Sequence, residues 1–137
     1  MSASPVVALR KAIRVYLLAD AGFTAVLGEK LYDEAPRGME PPYALFAEAQ
    51  LRDWSSDLSR GAEQLFTIGV TSTMRGLSEA LDLAQRIADL LDEAPLTLQD
   101  HRLVDLRFLS METRRDQNGR IARVNLRFRA TTPPGTA

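Results

Sequence analysis

The sequence predicts an α+β fold: one mixed or mainly antiparallel sheet of about four or five main strands, with helices packed mainly on one face as an α/β sandwich and a long C-terminal β-hairpin. Three observations lead there. Residues 120–132, RIARVNLRFRATT, alternate strictly, with Arg123, Asn125, Arg127 and Arg129 on one parity and Ala122, Val124, Leu126, Phe128 and Ala130 on the other. Alternation marks a strand with one face buried and one face wet. Residues 5–19 and 77–91 instead repeat apolar side chains at helical spacing on one side only, so both must bury that side against the sheet. Finally, 137 residues is the usual size of one folded unit, able to bury roughly two-thirds of its unfolded surface without a staple. We expect one domain over 1–137, frayed from 131 to 137.

Each element has its own signal. Ser4-Pro5 opens the first helix with a serine cap and a proline at the first helical position. Val6, Leu9, Ile13, Val15, Tyr16 and Leu17 form its stripe, with Arg10, Lys11 and Arg14 opposite. Asp20 caps a second helix, 21–27, which Gly28 ends. Leu31-Tyr32 is a short strand, and APRGMEPP, residues 35–42, is a loop because its prolines and glycine forbid regular structure. A strand at 43–49 puts Leu45, Ala47 and Ala49 on one face and Phe46 on the other. LRDWSSDLSRG, residues 51–61, reads as a polar loop that orders on assembly. In it Trp54, between Asp53 and Asp57, is an aromatic anchor for a partner or for the chain's own core. The strand at 63–72 sets Phe66, Ile68 and Val70 against Leu65, Thr67 and Thr71. After the turn TMRG, the helix 77–91 gathers Leu77, Ala80, Leu81, Ala84, Ile87, Ala88 and Leu91 into one stripe, leaving Glu79, Asp82, Arg86 and Asp89 outside. Ala94-Pro95 stops it, and Leu96 to Leu98 form a short strand.

The register of the closing hairpin follows from its turn. Asn118-Gly119 is a favoured pair for a tight two-residue connection. Pairing across it sets Met111 opposite Leu126, Leu109 opposite Phe128 and Thr113 opposite Val124, so the apolar residues share a face. Glu112 then lies opposite Asn125, with Arg123 and Arg127 on its diagonals. Val104, Leu106 and Phe108 have the other parity, and a bulge near Phe108-Leu109 absorbs the slip.

Composition removes several classes of function. With no cysteine, disulfides, thiolate metal sites and a cysteine nucleophile are excluded. Arg10, Lys11 and Arg14 break the N-terminal apolar residues, so no signal-peptide core exists, and no run approaches the roughly 20 apolar residues of a bilayer span. A soluble, cytoplasmic protein is the expectation. His101 is the only histidine, Asp100, Asp105 and Asp116 lack metal-loop spacing, and no phosphate loop, dinucleotide fingerprint or nucleophile elbow occurs. We therefore expect no enzyme, no metal and no cofactor.

Net charge is −1, too neutral for a dedicated nucleic-acid binder. Its distribution is uneven, because residues 102–129 hold eight arginines and three acids, a net of +5, which leaves −6 for the rest. Three readings of the arginine face stay open: a solvated surface, a contact with another protein subunit, or a nucleic-acid surface. The last lacks aromatics for base stacking, since Phe128 points the other way. Arg123, Arg127, Arg129, Arg114 and Glu112 are the hairpin candidates for a subunit interface, with Trp54, Asp53, Asp57 and the Asp82/Asp89 face as counterparts.

The order of elements resembles the phage tail terminator, or tail completion, family of long-tailed phages, prophages and gene transfer agents. The likeness rests on ALRKAIRVYLLAD with FTAVLG, on KLYDEAP followed by PPYALFAEA, and on LFTIGVTS, GLSEALDLAQRIADLL and RRDQNGRIARVNLRFRATT. It covers nearly the whole chain. One departure is Val70-Thr71-Ser72, where the family often has a bulky aromatic. The resemblance implies a structural protein that forms a homo-oligomeric ring, likened to a hexamer, at the head-proximal end of the tail. Such a ring stops tail-tube growth and offers a surface for head docking. The implied partners are further copies of the chain, the tail tube protein and a head-completion or connector protein, with DNA only passing through the lumen. The implied location is the bacterial cytoplasm during assembly and then the particle.

Overall fold

The computed structural model describes residues 4–34, 36–53, 62–98, 105–116 and 119–132. Within them the order is α1 (Pro5–Leu18), α2 (Ala21–Leu27), β1 (Leu31–Tyr32), β2 (Tyr43–Asp53), β3 (Ala62–Thr73), a 3-10 turn (Met74–Gly76), α3 (Leu77–Leu91), β4 (Asp105–Arg115) and β5 (Ile121–Thr132). The strands form one sheet in the order β1-β2-β3-β5-β4. Only the β1–β2 pair is parallel, so the sheet is mixed and the fold α+β.

The helices start where their caps dictate. Ser4 Oγ accepts from Val7 N at 3.4 Å, and Pro5 fills a first-turn position that needs no donor. Asp20 Oδ2 accepts from Phe23 N at 2.9 Å and opens α2. The same carboxylate takes two bonds from the Arg86 guanidinium of α3, Nε to Oδ2 at 2.6 Å and Nη2 to Oδ1 at 2.8 Å. One acid therefore caps one helix and clasps another. The hydrogen bond from Arg86 holds the Asp20 carboxyl below its ordinary value, helped by Phe23 N and opposed by desolvation.

One face of the sheet carries the core. Even-numbered residues of β3 and β5, including Phe66, Ile68, Val70, Val124, Leu126 and Phe128, are buried with Leu9, Ile13 and Leu17 of α1, Phe23 of α2 and Leu83, Ile87 and Leu91 of α3. Phe128 stacks on Phe66 with ring centres 5.3 Å apart and meets the edge of Phe108 at 5.8 Å. Burying one such ring stabilises the fold by roughly 1.5–3 kcal/mol.

Several expectations need correction. Val15 is 73% exposed, since 100° per residue turns it away from the face that Ile13 and Leu17 share. Leu83, omitted from the α3 stripe, is buried. β2 does not end at Ala49 but runs through Leu51, Arg52 and Asp53, which pair with Gln64, Glu63 and Ala62. It presents Ala44 and Phe46 to the helices, and a bulge between Phe46 and Ala49 then sets Ala49 opposite Phe66. No strand forms at Leu96 to Leu98; Leu98 reaches the core from irregular chain. At the C-terminus, Thr131 and Thr132 are not frayed, because β5 pairs them with β3 and Thr131 is buried. Residues 133–137, like 54–61, lie outside the described residues.

The hairpin keeps its predicted register from Ser110 onward, with Met111 opposite Leu126, Glu112 opposite Asn125 and Thr113 opposite Val124. The bulge falls where expected, but it pairs Phe108, not Leu109, with Phe128. Leu109 is the extra residue and stands half-exposed, because the Phe108 ring fills the core position better placed against Phe128. Asn118 lies outside the described residues. Beside it Gly119 has φ +68° and donates to Asp116 O, while Asp116 Oδ1 accepts from Arg120 N and Ile121 N. Left-handed backbone of this kind suits glycine.

Candidate functional site

No described helix covers the other face of the sheet. β5 delivers Arg123, Asn125, Arg127 and Arg129 to it, β3 delivers Glu63, Leu65, Thr67, Gly69 and Thr71, and β4 adds Glu112 and Arg114. The alternation seen in the sequence thus becomes a real division between two environments.

The arginines fall into two kinds. Arg129 is committed to its own chain: its Nε donates to Glu63 Oε2 at 2.5 Å, with the two side chains 34% and 15% exposed. Arg52 of β2 approaches the other oxygen of Glu63 at 3.6 Å. An Arg–Glu–Arg bridge therefore crosses three strands at one end of the face. Arg114 Nε likewise donates to Glu112 Oε1 at 3.0 Å, two residues along β4. That bond, with the nearby positive charges and an Asn125 hydrogen bond, holds the Glu112 carboxyl below its ordinary value. Arg123 and Arg127 are the second kind: among the described residues neither makes an ion pair.

Arginine is long, and here the length has a use. A Cβ on Gly69 would meet Asn125 Oδ1 at 3.1 Å and Arg123 Cδ at 3.2 Å, so the Arg123 stem lies directly over the glycine. With no helix above them, Gly69, Thr67 and Thr71 are nonetheless buried. The methylenes of Arg123 cover the strand while its guanidinium stays at the surface. This cover leaves Asn125 Oδ1 and Thr71 Oγ1 buried without a hydrogen-bond partner. Serine or lysine at 123 would give less cover or a different head group, which answers why arginine stands there.

Between these side chains lies a polar depression of about 390 Å³, walled by Arg114, Arg123, Arg127, Glu112, Thr67 and Glu48. It holds three arginines and two glutamates, and Glu112 is already neutralised by Arg114. The depression can receive an anionic group at Arg123 and Arg127. Of the predicted interface residues, the structure gathers Arg114, Glu112, Arg123 and Arg127 here and sets Arg129 apart with Glu63. Trp54 and Asp57 lie outside the described residues, and Asp53 is placed only as the last residue of β2. Glu63, Arg52 and Glu48 were not singled out from the sequence. Glu63 is the single acid in the β3 stretch, and that was the available signal.

Among the described residues no group of three histidines, cysteines or acids could hold a metal ion, and no helix is long and apolar enough to cross a membrane. His101 and Asp100 lie outside them.

The fold and this face can be compared with known proteins. A family model described as tail completion protein gp17 matches residues 11–133. A chain of the solved "Virion of native gene transfer agent (GTA) particle" is 32% identical and superposes with a TM-score of 0.87, over 96% of this chain and 99% of that one. No curated protein matches the sequence.

Proposed function

From the premise that the chain belongs to the tail completion protein gp17 family, we propose that it is a tail terminator: a ring, six copies in the reading adopted here, that closes the head-proximal end of a tail tube. Its coarser class is that of a structural tail-assembly protein. The observation that carries the finer reading is the similarity, over nearly the full length of both chains, to a component of a gene transfer agent virion. On this reading the ring contacts the tail tube protein below and a head-completion or connector protein above. DNA passes through its lumen, and assembly takes place in the bacterial cytoplasm before incorporation into the particle. It performs no catalysis and needs no cofactor.

Physical features support association through two different surfaces. The open sheet face carries arginines without described ion-pair partners, while α3 exposes carboxylates on the far side of the molecule. Unlike patches on one molecule associate head to tail, and such contacts close into rings when the rotation between copies allows. The alternative, a nucleic-acid-binding module, has less behind it. Two of its five hairpin arginines are already neutralised, Arg129 by Glu63 and Arg114 by Glu112. Among the described residues β3, β4 and β5 present no aromatic ring beside the arginines, the nearest on this face being Tyr43 of β2 opposite Thr71.

Light scattering of the purified chain, with negative-stain images of the same sample, tests the reading. The expected result is one closed oligomer, with annular particles that cap tube ends. A monomer at all concentrations that binds DNA with a steep salt dependence would overturn it in favour of the alternative.

A further inference from the structure

We propose that the arginine face of one copy receives the outer face of α3 from the next, with Arg123 and Arg127 paired to Asp82 and Asp89. This rests on the ring reading above and names the two surfaces that would meet.

The argument begins with what is already spent. Among the described acids, Asp20 is held by Arg86, Asp33 by Arg10, Glu63 by Arg52 and Arg129, Glu93 and Asp105 by Arg107, and Glu112 by Arg114. Asp92 and Asp116 accept from backbone N–H groups. Of those left without a described ion pair, only α3 places several on one surface: Glu79, Asp82 and Asp89 are all exposed. The single basic residue of α3, Arg86, is drawn away to Asp20. With the Arg86 guanidinium engaged by Asp20, the carboxylates of Glu79, Asp82 and Asp89 dominate the charge of this helix surface. Asp89 keeps one oxygen open, since Gln85 Nε2 occupies only Oδ1.

Spacing agrees with charge. Seven residues of helix separate Asp82 from Asp89, a rise of about 10 Å. Four residues of strand separate Arg123 from Arg127, about 13 Å. The flexible stems of both arginines span the difference, and each guanidinium can present two parallel donors to a carboxylate. Placement agrees as well. α3 packs on the core face and the arginines lie on the opposite one, so a single copy can use both surfaces at once. A contact of that kind is head to tail, as a ring requires. The alternation of charge between faces also opposes a two-fold pairing of arginine face on arginine face.

Charge reversal in separate copies tests this. One variant carries Arg123→Glu and Arg127→Glu, and the other Asp82→Arg and Asp89→Arg. Arg127, Asp82 and Asp89 are exposed and Arg123 is half-buried over Gly69, so circular dichroism checks that each variant is folded. Each variant alone has two faces of like charge and is expected to remain monomeric at concentrations where the parent is fully assembled. An equimolar mixture is expected to recover the parent mass, because each face again meets its opposite in an alternating ring. If the parent assembles while the mixture stays monomeric, or if the α3 variant assembles alone, the proposed pairing is wrong and the ring reading stands. A parent that is monomeric at every concentration removes both.

Discussion

Arg127 and Phe128 are neighbours on β5, yet each belongs to a different side of the sheet. Phe128 is fully buried between Phe66, Phe108 and the helices, where close packing and removal from water hold it. Arg127 is exposed on a face held by ion pairs and by the stems of long side chains. The difference teaches that one strand can serve two purposes without compromise, because its side chains alternate. The covered face sets whether the chain folds. On the reading above, the open face sets what the folded chain meets.

The strongest challenge to this division is truncation on the covered face. Phe128→Ala is expected to cost about 3–5 kcal/mol, a large part of the total stability of such a domain, and urea unfolding measures it. Arg127→Ala should stay within about 0.5 kcal/mol in the same experiment. Similar losses for the two would mean that the open face is structural and that the contrast fails.

An intermediate effect is expected from the bridge on the open face. Glu63→Gln keeps the shape but removes the charge that gathers Arg129 and Arg52. Hydrogen bonds to charged groups contribute about 1.5–3 kcal/mol, and partial exposure of both arginines should reduce the cost to about 1–2 kcal/mol. Denaturant unfolding at low and high salt would show it. A cost that vanishes at high salt would place Glu63 among ordinary solvated surface charges.

The smallest effect concerns the Asp20–Arg86 clasp of the helix layer. Asp20→Asn retains a good helix cap but weakens the bond to Arg86, a loss of up to about 1 kcal/mol for a half-exposed pair. Because the folded-state pKa of Asp20 is lowered, its contribution is complete above the unfolded value near 4 and is lost as pH falls through the lower folded value. The gap between parent and variant should therefore be full at pH 7 and close at strongly acidic pH. A gap that persists there would mean the effect is not electrostatic.

Periodicity made the covered face legible in the sequence. Strict alternation in residues 122–130 and one-sided stripes at 5–17 and 77–91 report burial directly, and the Asn118-Gly119 signal carried the register from Ser110 to Arg115. Reading failed where the open face imitates a loop. Leu51-Arg52-Asp53 and Thr131-Thr132 lack a clear apolar alternation, yet the ladders with β3 continue through both, and Thr131 is buried. Leu96 to Leu98 failed in the opposite sense, since apolar residues can fill a core from irregular chain without pairing. The Arg129–Glu63 and Arg86–Asp20 contacts each join residues 66 apart. No local pattern brings such pairs together; they follow from β3 lying beside β5 and from α2 packing near α3.

The outer margins of the sheet carry a further consequence. On β4, Glu93 N donates to Leu106 O and Asp92 Oδ1 accepts from Phe108 N, so the end of α3 occupies the first part of that margin. Beyond it come the bulge at Leu109 and the exposed charges of Glu112, Arg114 and Arg115. On the other side, β1 shields only Ala44 and Leu45, and a bulge interrupts β2 immediately after Phe46. Margins so broken and charged are poor templates for a further strand. The subunit should therefore resist amyloid-like stacking even when crowded at high concentration before assembly. On the terminator reading proposed above, a molecule that ends the growth of one polymer would thereby be kept from seeding another.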